Sequence, residues 1–341
     1  MRIGNFEINA ESKVFIIAEL SANHNGSLDI AIETVRAAKR AGADCIKIQT
    51  YTADTITIDS NKDDFLIKGT IWEGKNLYQL YQEAYTPWEW HEEIFRVAKE
   101  EGLICFSSPF DITAVDFLEK LDVPAYKIAS FEITDIPLIE YVASKGKPII
   151  LSTGIATLDD IELALGACRK VGNYNIALLK CTSSYPAPIE EANMQMVKDF
   201  QSRFGVVSGL SDHTMGSTVP LVAICFGAKI IEKHFILDRS IGGPDASFSM
   251  NEKEFGEMVK TLREAESAIG YVDYTLTEKQ LKGRDFSRSL YAVKEISEGE
   301  LITKENVKSV RPGFGLHPKF YDQALGSKAK KNFKKGDRFT L

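Results

Sequence analysis

Eight short runs of β-branched and apolar residues recur along the chain, each followed by a helix-sized segment, and this repeat constrains the fold more than any other feature. The runs cover residues 14–19, 44–49, 103–107, 126–130, 148–153, 176–181, 206–211 and 230–234. Between them, 28–40, 87–101, 112–121 and 158–170, and after the last of them 252–268, show the i, i+3, i+4 spacing of amphipathic helices. A doubly wound open sheet also alternates strands with helices. The count of eight, and the absence of a GxGxxG turn after the first run, favour a closed (β/α)8 TIM barrel over residues 1–270.

After Gly270 the pattern stops. Residues 271–284 are polar without apolar periodicity and read as a linker; 285–341 read as a small β-rich domain with strand-like runs at 290–293 and 306–310. Charge changes there too. Residues 281–341 carry 14 Lys+Arg against 7 Asp+Glu, so residues 1–280 of this −7 chain hold 27 against 41. A basic tail on an acidic body fits either a nucleic-acid arm or a docking domain. The cluster Lys328, Lys330, Lys331, Lys334, Lys335 and Arg338 lacks interleaved aromatic platforms, which disfavours nucleic acid.

No charged leader with an apolar stretch opens the chain and no run of about 18 apolar residues occurs, so neither export nor a membrane partner is expected. Five cysteines, with no CxxC pair, read as reduced core thiols of a cytoplasmic protein.

In a barrel of this kind chemistry gathers where strands run out into the following loops. Those ends are Glu19; Lys47 and Gln49; Ser107 and Ser108; Lys127, Ser130 and Glu132; Ser152; Ser183 and Tyr185; Ser211 and His213; and Glu232 and His234. Ionisable groups inside apolar strands are costly to bury without partners or ligands, so the set points to a site. His213 and His234 are one strand-helix repeat apart and should share one mouth, where two imidazoles beside oxygen donors suit a divalent first-row ion. Lys47 and Lys127, with the serines, supply what a small phosphorylated carboxylate needs. A Schiff-base lysine is the rival chemistry, and a nucleotide triphosphate is disfavoured by the absence of a glycine-rich phosphate loop. A long aromatic loop, with Trp72, Tyr78, Tyr81, Tyr85, Trp88 and Trp90, follows the second strand.

Ala18-Glu19, Asn23-His24, Lys47-Ile48-Gln49-Thr50, Lys127 through Glu132, Ser211-Asp212-His213, Glu232-Lys233-His234 and Gly243-Pro244-Asp245 together resemble the sialic acid synthase family. Arg311-Pro312-Gly313-Phe314-Gly315 resembles the arginine motif of that family's C-terminal antifreeze-like (SAF) domain. Within the family, residues 69–91 resemble the pseudaminate-forming branch. Ala246 stands where the sialic and legionaminic branches usually have histidine, which leans the same way.

The resemblance implies condensation of phosphoenolpyruvate with 2,4-diacetamido-2,4,6-trideoxy-β-L-altrose to give pseudaminate and phosphate, a transferase reaction. The alternative is the same chemistry on the precursor of N-acetylneuraminate or legionaminate. It further implies a divalent metal, usually Mn²⁺ with Mg²⁺ or Co²⁺ as alternatives, held by His213 and His234. Glu19, Lys47, Lys127 and Glu132 would be catalytic. Gln49, Ser108, Ser130, Ser183, Tyr185, Ser211 and Asp245 would bind substrate, although Ser183 replaces the asparagine of sialic acid synthases. The family's dimers are domain-swapped, which would send Arg311 to the partner's sugar.

Overall fold

The computed structural model describes residues 1–341. A two-stranded antiparallel hairpin, β1 (Arg2–Ile3) and β2 (Phe6–Glu7), precedes eight parallel strands. These are β3 (Phe15–Glu19), β4 (Cys45–Thr50), β5 (Ile104–Pro109), β6 (Tyr126–Ile128), β7 (Ile149–Ser152), β8 (Ile176–Cys181), β9 (Val207–Asp212) and β10 (Ile230–His234). They form a closed barrel in chain order, with β10 pairing back onto β3, as the repeat predicts.

Strand periodicity decides what faces the barrel axis. Phe15 and Ile17 of β3, Cys45 of β4 and Ile230 of β10 join Phe106, Ile150 and Leu179 in an inner cluster. Two residues further along the same faces come Glu19, Lys47 and Glu232, so each of these strands changes from apolar to ionisable as it reaches its C-terminal end. The intervening residues, such as Ile16, Ala18, Ile46 and Ile231, point outward into a second cluster shared with the surrounding helices. Ile3 and Ile8, from the N-terminal hairpin and its exit, complete the inner cluster at the opposite end. Strands of two residues leave no periodic signal, and the sequence reading contains no such hairpin.

Helix starts follow the capping chemistry written in the sequence. Ser27, Asp111, Thr157 and Asn251 each accept a backbone N–H at the start of Leu28–Arg40, Ile112–Lys120, Leu158–Lys170 and Glu252–Ile269. Helices Leu77–Ala84, Ile136–Ser144, Gln195–Phe204 and Thr218–Cys225 add to those read from periodicity. The excursion between β4 and β5 is the longest in the barrel and carries the aromatic residues noted above.

The chain divides into two compact units, Met1–Gly270 and Tyr271–Leu341. In the second, β11 (Ser289–Ala292) pairs antiparallel with β12 (Val307–Val310) around a small core of Leu290, Ile296, Ile302, Val307, Phe333 and Phe339. The stretch read as a linker contains a six-residue helix, Glu278–Gly283, begun by a capping box between Thr277 and Gln280. A helix this short shows no apolar period.

Candidate active site

A cavity of about 200 Å³ opens at the C-terminal ends of the barrel strands. Eleven of the fourteen site residues expected from the sequence line it: Glu19, Lys47, Gln49, Lys127, Ser130, Glu132, Tyr185, Ser211, His213, His234 and Asp245. Ser108 lies one contact away, its Oγ accepting from Lys47 Nζ at 3.3 Å. Ser183 Oγ stands 3.8 Å from Cys181 Sγ. Arg311 belongs to the second unit, exposed on a loop that Ser289 pins: Ser289 Oγ donates to Pro312 O at 2.6 Å and accepts from Gly315 N–H at 2.8 Å.

Two lysines and two carboxylates form the floor, all buried. Lys47 Nζ lies 2.6 Å from Glu19 Oε2 and 3.6 Å from Glu232 Oε1; Lys127 Nζ donates to Glu232 Oε1 at 2.9 Å. Glu232 also accepts from Ser211 Oγ at 3.2 Å. Its role was not assigned from sequence, yet it alternates with Ile230 and His234 on β10 and therefore faces inward. Burial opposes its ionisation, but Lys127 and Lys47 outweigh that and hold its carboxyl at about 2. Burial raises the Glu19 carboxyl and lowers the Lys127 amine. Lys47, despite its burial, is held protonated by Glu19 and Glu232. That state is the wrong one for a Schiff-base nucleophile. The quartet is charge-balanced, so an incoming polyanion must compete with Glu232 and Glu19 for the lysines.

Beside the floor, small groups converge. Gly154 N–H donates to Ser130 Oγ at 3.1 Å, and a Cβ at Gly154 would lie 2.0 Å from Ser183 Oγ and 2.7 Å from Ser130 Oγ. Only glycine leaves those hydroxyls room. Ser152 Oγ is buried there without a partner, as is Glu132 Oε2, and burial raises the Glu132 carboxyl to about 7.

The imidazoles of His213 and His234 lie 5.2 Å apart between centroids. Burial, reinforced by the nearby His213, keeps His234 neutral, the form that binds a metal; its Nδ1 is buried without a hydrogen-bond partner, 3.8 Å from Asp245 Oδ2. His213 Nδ1 contacts Thr182 O at 3.0 Å; burial opposes its charge, but Cys181 and Thr182 O outweigh that and raise its pKa, so Nε2 becomes a metal donor only once its proton is lost. The orphaned neutral Nδ1 of His234, with the Asp245 carboxyl beside it, can offer donors to a divalent cation. Asp245 is held in place from behind, since Ser249 Oγ donates to Asp245 O at 2.7 Å and Asn23 Nδ2 donates to Ser249 Oγ at 2.8 Å. Gln49 Nε2 donates to Glu19 Oε1 at 2.9 Å and to Ser21 Oγ at 3.0 Å, which sets the orientation of Glu19.

A closed parallel barrel with lysines, carboxylates and imidazoles gathered at its C-terminal mouth defines a barrel enzyme. The chain belongs to the NeuB family, whose model matches residues 34–274, and a SAF domain matches residues 287–340. It is 52% identical over 337 residues to a pseudaminic acid synthase of Campylobacter jejuni, covering 99% of this chain and 98% of that protein. A pseudaminic acid synthase of Helicobacter pylori is 50% identical over 320 residues, 94% of each chain. Among solved structures, the N-acetylneuraminic acid (sialic acid) synthetase of Leptospira borgpetersenii superposes with a TM-score of 0.74 at 30% identity, over 83% of this chain and 94% of that one.

Proposed function

We infer that this chain is a pseudaminic acid synthase, a transferase that joins phosphoenolpyruvate to 2,4-diacetamido-2,4,6-trideoxy-β-L-altrose and releases phosphate. The observation that carries this is identity at half of all positions, along nearly the whole length, to two proteins of that activity.

The residues present support a division of labour. Lys47 and Lys127 bind the anionic ends of phosphoenolpyruvate, with Ser108, Ser130, Ser183 and Ser211 as hydroxyl donors; Gln49, Tyr185 and Asp245 orient the sugar. Bond formation between C3 of phosphoenolpyruvate and the aldehyde carbon leaves positive charge at C2, which the Glu19 carboxylate stabilises. Water then adds at C2, passing one proton through Glu19 to the former aldehyde oxygen, made negative by bond formation; as the C2–O bond breaks, the second proton leaves with the phosphate, which the lysines hold, and C2 becomes a ketone. Glu132, whose carboxyl burial raises to about 7, donates a hydrogen bond to the sugar when protonated. A divalent ion, Mn²⁺ with Mg²⁺ or Co²⁺ as alternatives, would be held by His213 and His234, and when bound supplies Lewis-acid polarisation of the aldehyde oxygen.

The same reading makes the enzyme a cytoplasmic, domain-swapped homodimer in which Arg311 of one copy reaches the sugar in the other. No helix is long and apolar enough to cross a membrane. The test is mass spectrometry of the product formed from phosphoenolpyruvate with the diacetamido altrose, the legionaminate precursor or N-acetylmannosamine. A preference for either of the latter two overturns the assigned sugar. Mixing an Arg311→Ala chain with a His213→Ala chain should restore part of the activity, and no recovery removes the shared site.

A further inference from the structure

The charged groups occupy only part of the cavity. Ile56, Leu80, Ala84, Phe110 and Trp72 line the rest, alongside Tyr185. Phosphoenolpyruvate is a three-carbon trianion with nothing to bury against such a surface. The apolar wall must therefore serve the second substrate.

Trp72 is the distinctive member of that wall. It lies in the excursion between β4 and β5, between the Leu66↔Asn76 bridge residues, and its neighbour Ile71 is 52% exposed. The Trp72 ring is nevertheless half-buried. Two contacts hold it there. Its indole N–H donates to Pro244 O at 3.0 Å, joining this excursion to the loop after β10 immediately before Asp245. Its ring centroid lies 5.5 Å from that of Tyr185, which in turn lies 4.5 Å from His213. One aromatic surface thus extends outward from the histidines, and Trp72 is its outer end.

We propose that Trp72 is a specificity-determining residue whose indole face packs on the apolar substituents of the sugar, the acetamido methyl groups and the C6 methyl of a 6-deoxyhexose. The inference rests on the functional reading above and deepens it. A sugar bearing a C6 hydroxyl would have to desolvate that group against an apolar wall. Apolar pockets reject an added hydroxyl by only about 100-fold, so the discrimination attributable to this wall is about 10- to 100-fold.

The experiment measures KM for each substrate separately in the full-length enzyme, Trp72→Ala and Trp72→Phe, with the diacetamido altrose and N-acetylmannosamine as competing sugars. Trp72→Ala should raise the sugar KM about 10-fold or more, leave the phosphoenolpyruvate KM within about twofold, and narrow the kcat/KM ratio between the two sugars. Trp72→Phe, which keeps a ring but loses the bond to Pro244 O, should retain most of the discrimination. An unchanged sugar KM in Trp72→Ala overturns the proposal, as does an equal rise in both KM values, which would mark a purely structural role. Wild-type enzyme that prefers N-acetylmannosamine overturns the functional reading as well, and that failure is visible before any variant is made.

Discussion

Replacing Glu132 by glutamine should make the protein more stable at alkaline pH while impairing its reaction. Glu132 ends a short turn after β6, with Oε2 buried and unpartnered, and burial raises its carboxyl from 4.5 to about 7. Below pH 4.5 the carboxyl is protonated in both folded and unfolded chains and costs nothing. Between 4.5 and about 7 the folded protein keeps a proton that the unfolded chain has released, so stability falls as pH rises. Above 7 the full cost of the buried charge, about 3 kcal/mol, is present. Glutamine has the same shape and no charge to desolvate. Thermal unfolding of both proteins at pH 5 and pH 8.5 should show a gain of several degrees for Glu132→Gln at the higher pH and little at the lower. A gain that is the same at both pH values would refute the buried-carboxyl reasoning. If the sugar pairs with Oε2, the wild-type protein should also gain more from added sugar than Glu132→Gln does.

Lys127→Met removes the 2.9 Å partner of Glu232 and leaves a buried carboxylate under-compensated; it should lower stability by about 3–5 kcal/mol in denaturant titrations and raise the phosphoenolpyruvate KM steeply. Gly154→Ala should raise that KM about 10-fold in steady-state assays, because the new Cβ would lie 2.0 Å from Ser183 Oγ, while the fold survives in circular dichroism. Chelation should abolish phosphate release and Mn²⁺ restore it, and calorimetry should show His213→Ala and His234→Ala binding Mn²⁺ at least about 10-fold more weakly.

The barrel was legible because its strands are compact apolar runs, and because period 2 carries Phe15 and Ile17 to Glu19 on one inward face. The same rule placed the lysines and histidines at one mouth. What escaped has physical reasons. The Thr218–Cys225 helix is apolar on every side and shows no amphipathic stripe, and the Arg2–Glu7 hairpin is too short to alternate. The Glu232 pairing with two lysines from other strands, and the Trp72 bond to Pro244 across 172 residues, are tertiary facts without local signature. Cys181, read as a reduced core thiol, is free and buried, and it also lies 3.8 Å from His213 Nδ1 at the edge of the site.

Ile3 and Ile8, from the N-terminal hairpin and its exit, fill the end of the barrel opposite the mouth. Lys47, Lys127 and Glu232 sit at the cavity floor, and Tyr185 and Trp72 stand nearer the rim. A molecule resting on the rim residues would bar the way to the lysines. If the lysines hold phosphoenolpyruvate and the rim residues the sugar, as proposed, phosphoenolpyruvate should bind first and phosphate should leave last. Phosphate should accordingly compete with phosphoenolpyruvate in product-inhibition kinetics.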